Sequence, residues 1–213
     1  MAHRLLGQAL ARAGMRPEAS RHLRRALKLA ANAGDAHGTA RAHYDLARMG
    51  RNGDHQIALT HATQALRLFD ALANPVWRAE ALAEVGWHQA RLGRYAEARD
   101  LCEQALELFR EHANRQGVAG TLDVLGYVAH RSGQYHTALA HYRDALALCR
   151  DLGATYDEAD TLDHLGHAYA ALSQHAEARR VWQQAMKLSY AQHRIADTER
   201  LQRQLTDLVS PQR

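Results

Sequence analysis

A period of 40 residues constrains this chain more than any other feature. Ala26-Leu27, Ala65-Leu66, Ala105-Leu106, Ala145-Leu146 and Ala185-Met186 stand 39, 40, 40 and 40 residues apart. The same spacing returns a second alanine column at Ala19, Ala58, Ala98, Ala138 and Ala178. It also returns a turn column at Gly14, Gly53, Gly93, Gly133 and Ser173, and an early small-residue column at Gly7, Leu46, Gly86, Gly126 and Gly166. Several columns at one period mark a repeat array, in which each unit buries its apolar flanks only by stacking on its neighbours.

Within a unit the apolar residues recur at three and four, as between Leu82 and Leu92 and again between Ala98 and Phe109. That is the stripe of an amphipathic helix. The turn glycine separates two such helices, because it accepts the left-handed conformation that ends a helix. First helices are predicted at about 1–13, 36–51, 76–92, 116–132 and 156–172, and second helices at about 17–31, 55–72, 95–112, 135–152 and 175–191. Pro17 and Pro75 sit at helix starts, where a missing N–H costs least. Residues 194–209, with Ile195, Leu201, Leu205 and Leu208, read as a capping helix over the fifth pair, and 210–213 as a frayed tail. The expected fold is all-α, a right-handed α-α superhelix of five helix pairs plus the cap. It forms one domain over 1–209, with repeats at about 1–34, 35–74, 75–114, 115–154 and 155–192. The first unit opens inside its helix with Leu5, Leu6 and Leu10 uncovered. This predicts either continuation into a longer protein or self-association through that flank.

Composition narrows the class. The chain has 213 residues, 46% hydrophobic and 23% charged, a globular balance. No apolar run approaches the roughly 20 residues that cross a bilayer, and no secretion signal opens the sequence, so a cytoplasmic location is expected. Cys102 and Cys149 are too few for a disulfide framework and read as buried thiols. The net charge of +4 is uneven: residues 1–53 carry ten basic and three acidic side chains, whereas the remainder is net −3. Such asymmetry steers an acidic partner toward the N-terminal third, or serves only as a solvated face.

The columns resemble the tetratricopeptide repeat family, whose pattern asks for a large residue, Leu-Gly, an aromatic, Ala, an aromatic and Ala. The fourth unit reads Leu122, Leu125-Gly126, Tyr135, Ala138, Tyr142 and Ala145, and the fifth Leu162, Leu165-Gly166, Tyr169, Ala178, Trp182 and Ala185. The second departs most, with Leu46 for the glycine and Ala62 for the aromatic, which predicts looser or tilted packing there. The 40-residue period resembles the longer repeats of kinesin light chain and cell-polarity adaptors. The wording of residues 97–153 resembles the C-terminal repeats of actinobacterial transcriptional regulators, of the antibiotic regulatory protein and nucleotide-binding signal-transduction ATPase types. In those proteins DNA-binding and ATPase domains precede the repeats. The resemblance implies the sensor or interaction arm of such a regulator, without cofactor, catalysis or DNA binding of its own.

The family commonly holds ligands on its first helices. Carried over by position, the candidates are Arg4, Gln8, Arg12, His43, Arg51, Trp87, Arg91, Asp123, Tyr127, Arg131, Asp163 and His167. Arg12, Arg51, Arg91 and Arg131 recur at one place in four successive units. Such a row suits carboxylates of an acidic peptide, since guanidinium pairs with them bidentately. Equally, it suits solvated arginines favoured by helix C-termini. Trp87 and Tyr127, one unit apart, read as partner anchors or as packing within the groove. The family's ligand-gripping asparagines are replaced by Glu84, Val124 and His164.

No phosphate loop, dinucleotide fingerprint, zinc-protease motif or recognition-helix module occurs. His164 and His167, three apart, lack a third ligand by spacing and read as solvated. A protein- or peptide-binding module is therefore expected, with no metal, no nucleic acid and no membrane. The alternative is a stand-alone receptor for a small ligand or signalling peptide.

Overall fold

The computed structural model describes residues 2–208, so the expectation for the 210–213 tail lies outside the described residues. The described residues form helices and turns without a strand. The helices come in successive pairs: α1 (Ala2–Arg12) with α2 (Arg16–Asn32), α3 (Ala36–Met49) with α4 (His55–Ala71), α5 (Pro75–Arg91) with α6 (Tyr95–Glu111), α7 (Arg115–Arg131) with α8 (Tyr135–Leu152), and α9 (Thr155–Ala171) with α10 (His175–Ala191). A last helix, α11 (Ile195–Asp207), follows. Packing divides the chain into two compact units, Met1–His112 with three pairs and Ala113–Arg213 with two pairs and α11.

Local signals set the helix ends. Asp35, Asn74 and Asn114 occupy one column, and each side chain accepts a hydrogen bond from a backbone N–H in the first turn of α3, α5 or α7. The fifth unit has Ala154 at that place; there Asp157 and Glu158 offset the helix dipole instead. Gly14, Gly93 and Gly133 turn the chain at φ 78°, 81° and 76°, and Ser173 adopts the same conformation at 58°. The second unit differs. Its α3 ends early at Met49, a short 3-10 turn runs Gly50–Asn52, and Gly53 has φ −139°. Gly50 is the close-contact residue there, since a Cβ on it would lie 2.5 Å from Ala58 Cβ.

Packing within pairs follows an exchange of size. A Cβ at Gly7 would meet Leu23 at 2.8 Å, one at Gly86 would meet Cys102 at 2.6 Å, one at Gly126 would meet Tyr142 at 2.5 Å, and one at Gly166 would run into Trp182. The missing side chain on the first helix makes room for a larger one on the second. The second unit reverses the sizes: Leu46 stands in the glycine column and Ala62 in the large column, both buried. What reads in the sequence as two departures is one compensated swap, consistent with a core that conserves volume.

In the Met1–His112 unit, Tyr44, Phe69 and Ala81 pack with Trp77, whose ring stacks on Phe69 and lies under the Arg41 guanidinium at 4.1 Å. In the Ala113–Arg213 unit, Tyr142, Leu162, Leu165, Tyr169, Val181 and Trp182 form a core with Leu201 of α11, and Leu205 and Leu208 pack on it. Ile195, expected on that apolar face, is instead exposed: it sits in the first turn of α11, before the helix meets α10. Leu5 and Leu6 of α1 stay about half exposed. Both cysteines are buried free thiols, and burial pushes Cys102 to about 12 and Cys149 to about 11. No helix among the described residues is long and apolar enough to cross a membrane.

Candidate functional site

The first helices of the Met1–His112 unit are joined by polar contacts reaching from one repeat to the next. Arg4 Nη1 donates to Asp45 Oδ2 at 3.1 Å and Gln8 Nε2 to Asp45 Oδ1 at 2.8 Å. Asp45 is only 8% exposed, so both carboxylate oxygens are satisfied as burial requires. Tyr44 Oη donates to Glu80 at 2.7 Å. Arg51 then forks onto Glu84, with Nε 3.0 and 3.1 Å from its two oxygens and Nη2 at 2.5 Å.

Glu84 is the centre of this unit's chemistry. It is 1% exposed on a helix whose other buried residues, His88 apart, are apolar. Besides Arg51 it faces His88 Nε2 at 3.2 Å, itself fully buried. His88 Nδ1 lies 3.1 Å from His55 Nδ1, so one ring donates and the other accepts. Burial alone would raise the Glu84 carboxyl; the charge and hydrogen bonds of Arg51 and His88 outweigh it and hold the group down at about 2. The arginine is correspondingly driven above its ordinary value. Arg51 and His88 thus favour the ionised carboxylate and hold it in place.

Trp87 lies half-buried one residue before His88. Arg51 and Arg91 approach its ring at 5.8 and 5.3 Å, so three of the sequence candidates gather into one cluster. Gln8 joins Arg4 on Asp45, and Arg12 Nε lies 3.5 Å from the Gln8 carbonyl. His43 stands apart from both groups. Its Nδ1 pairs with His61 Nδ1 of α4 at 2.9 Å, and burial followed by their mutual repulsion holds His43 below its usual value; burial and Arg24 do the same to His61.

In the Ala113–Arg213 unit, histidine takes the place of arginine at one inter-repeat link. Asp123 accepts from His164 Nδ1, 3.0 Å from both oxygens. Burial opposes the charged ring, yet Asp123, then Asp163 and Asp160, raise His164 to about 9. His164 is therefore an ion-pair partner and not the solvated residue its spacing suggested; a helix-face pattern does not show which side chain on the next helix comes opposite. Asp163 receives Arg200 Nη1 at 2.6 Å, and its other oxygen lies 3.6 Å from His167 Nε2. The Gln204 amide donates to His167 Nε2 at 2.9 Å, which suits the neutral ring that burial favours. Arg194 bonds both Asp160 and Asp197. Tyr127 is half-buried and Arg131 exposed on α7.

Arg12, Arg91 and Arg131 are exposed, whereas Trp87 and Tyr127 are half-buried. The residues that sequence reasoning missed are the partners: Asp45, Glu84 with His88 and His55, Arg200 and Gln204. One signal was present, since a carboxylate at Glu84 and an imidazole at His88 fall in the apolar register of α5. Buried charge in such a register demands a counter-charge.

The family model described as tetratricopeptide repeat matches residues 1–71, 49–111, 77–151 and 117–191. No curated protein matches the chain. Among solved structures, a Rap protein complexed with competence and sporulation factor superposes with a TM-score of 0.80 at 16% identity, over 92% of this chain and 54% of that one. The kinesin light chain repeats of Podosopora anserina reach 0.66 at 19%, over 91% and 95%. A signal transduction ATPase with numerous domains and a tetratricopeptide repeat sensor, from Pyrococcus horikoshii, reaches 0.71 at 16%, over 97% and 31%. The chain spans about half the length of the Rap protein, and at these identities the likeness is one of fold.

Proposed function

Because the chain belongs to the tetratricopeptide repeat family, we propose that it is a protein- or peptide-binding module without catalytic activity, the sensor or interaction arm of a larger cytoplasmic transcriptional regulator in an actinobacterium. The observation that carries the binding reading is the cluster of Arg51, Trp87 and Arg91. A half-buried indole flanked by two guanidiniums offers an apolar face with cationic edges. That combination is typical of residues that dominate binding energy. Arg51 forks onto Glu84, and the half-buried Trp87 with the exposed Arg91 present the surface assigned to a partner. A basic-edged aromatic surface favours an acidic peptide over nucleic acid, whose recognition would call for a groove-reading element.

The test is fluorescence anisotropy with labelled acidic peptides at 0.15 M salt, where the long-range field is screened beyond about 8 Å. Trp87→Ala weakens binding at least about tenfold, about 1.4 kcal/mol, and Arg91→Ala weakens it less. Affinity unchanged in both variants removes this cluster from the site. A second reading, a receptor for a short signalling peptide, is favoured by the likeness in fold to a Rap protein bound to its factor. It predicts that free peptides of a few residues bind as tightly as the same segments within a folded partner.

A further inference from the structure

The first two steps of the Met1–His112 unit use the same columns in different ways. At the second step, Arg51, His55 and His88 surround Glu84: Arg51 forks onto it, His88 bonds it, and His55 backs His88. One repeat earlier those three columns hold Arg12, Arg16 and Arg48, and the carboxylate column holds Tyr44. Tyr44 turns away to Glu80 and Trp77. The three basic columns therefore change from an arginine and two histidines to three arginines, while the carboxylate column holds a tyrosine.

These arginines line a cleft of about 450 Å³ with Gln8, Ala11, Leu23, Asp45 and Met49. Leu23, Ala11 and Met49 supply an apolar floor, and Arg12, Arg16 and Arg48 are exposed at its rim. The one acid in the wall, Asp45, is already matched by Arg4 and Gln8, so it leaves the rim cationic. We propose that this cleft binds a ligand carboxylate, which takes the place that Glu84 fills one repeat later. The inference rests on the peptide-binding reading above but concerns a different set of residues. The carboxylate is carried either by an Asp or Glu side chain of a peptide or by a free dicarboxylate. Guanidiniums converging on one carboxylate give bidentate, charge-assisted hydrogen bonds, and the apolar floor receives its methylene groups.

Labelled hexaglutamate is titrated at 0.15 M salt against the full chain and against Arg12→Gln, Arg48→Gln, Trp87→Ala and Arg25→Gln. The last removes an equal charge from an exposed residue of the same third of the chain that does not line the cleft. The expected result is a loss of about tenfold or more in Arg12→Gln and Arg48→Gln, with less than about twofold in Arg25→Gln. Equal losses in all three arginine variants reduce the effect to net charge and overturn the proposal, as does no loss in Arg12→Gln and Arg48→Gln. If those two variants keep full affinity while Trp87→Ala loses it, the cleft fails and the peptide-binding reading stands. If hexaglutamate does not bind the unaltered chain, the carboxylate site fails; the wider reading is then judged by neutral peptides on Trp87. Displacement of hexaglutamate by sodium glutarate at equal carboxylate concentration assigns the site to a free dicarboxylate, and its failure assigns the site to a peptide side chain.

Discussion

The Met1–His112 and Ala113–Arg213 units are built from the same apolar columns but lock their repeats with different polar chemistry. In the first, guanidiniums hold buried carboxylates, Arg4 on Asp45 and Arg51 on Glu84. In the second, a histidine holds Asp123, and arginines of α11 and the turn before it hold Asp163 and Asp160. The difference teaches that the repeat specifies which faces meet and leaves the polar links to be settled step by step. It also gives the units unlike responses to pH: guanidiniums keep their charge well above pH 9, whereas His164 loses its proton at about 9.

The strongest way to break the comparison is to remove one cation from each unit. Arg51→Met leaves Glu84 buried with only a histidine to face it, and should cost about 3 kcal/mol. Arg200→Met should cost about 1 kcal/mol, because Asp163 is 10% exposed where Glu84 is 1%, and it accepts a single bond from its arginine where Glu84 is held by a fork. Urea unfolding, with hydrogen exchange to assign the loss to α5 or to α9, measures both. Equal losses would erase the distinction between the units.

Next in size is the exchange of volumes. Gly126→Leu drives a side chain into Tyr142 and should cost about 3 kcal/mol, the upper range for overpacking. Adding Tyr142→Ala reproduces the arrangement of Leu46 and Ala62 in the second repeat. The double variant should be more stable than the sum of the single losses predicts, by about 1 kcal/mol or more. Strict additivity would show that the swap in the second repeat is coincidence.

The pH profile separates the units more finely. His164 has its folded value raised to about 9 from 6.5, so its stabilisation is fully present below about pH 6.5 and is lost as the pH rises through 9. His43, His55 and His61 are lowered instead. They stay neutral in the folded state while the unfolded chain takes up protons, so the Met1–His112 unit loses stability as the pH falls below about 6.5. His130 and His167, also lowered, give the second unit an acid-side loss as well. The alkaline loss should therefore belong to α7 and α9 alone and vanish in Asp123→Asn, read by segment-resolved hydrogen exchange between pH 5 and 9.

The smallest effect concerns the turns between repeats. Ala73 holds φ 48°, where Gly34 and Gly153 serve equivalent turns at 67° and 64°. Left-handed backbone costs a side-chain-bearing residue about 1–2 kcal/mol, part of which glycine returns as unfolded-chain entropy. Ala73→Gly should therefore raise stability by about 0.5 kcal/mol, visible as a small rise in urea midpoint at constant slope.

Much of the architecture was legible beforehand. The alanine, glycine and turn columns located every helix pair to within a few residues, because the periodicity of 3.6 and the turn signals are local. The early end of α3 was not legible, since it depends on Gly50 meeting Ala58 across the hairpin. Arg51, expected at the end of the helix, lies instead in the 3-10 turn Gly50–Asn52, and it gathers there with Trp87 and Arg91. The partners that occupy the candidate residues were hidden for one reason. Arg51 and Glu84 are 33 residues apart, Arg4 and Asp45 41, and Arg200 and Asp163 37, so no single period pairs them.

By itself, then, the sequence determined the repeat, the helix pairs and the columns of small residues, since these follow from spacing along the chain and from backbone preference. Only the tertiary structure decided that Glu84 is an internal carboxylate clamped by Arg51 and His88, that His164 is an ion-pair partner, and that Arg12, Arg16 and Arg48 line one cleft. Helix rotation and offset set which charges face each other. Those depend on the packed volumes of both helices together, and no stretch of one helix carries that information.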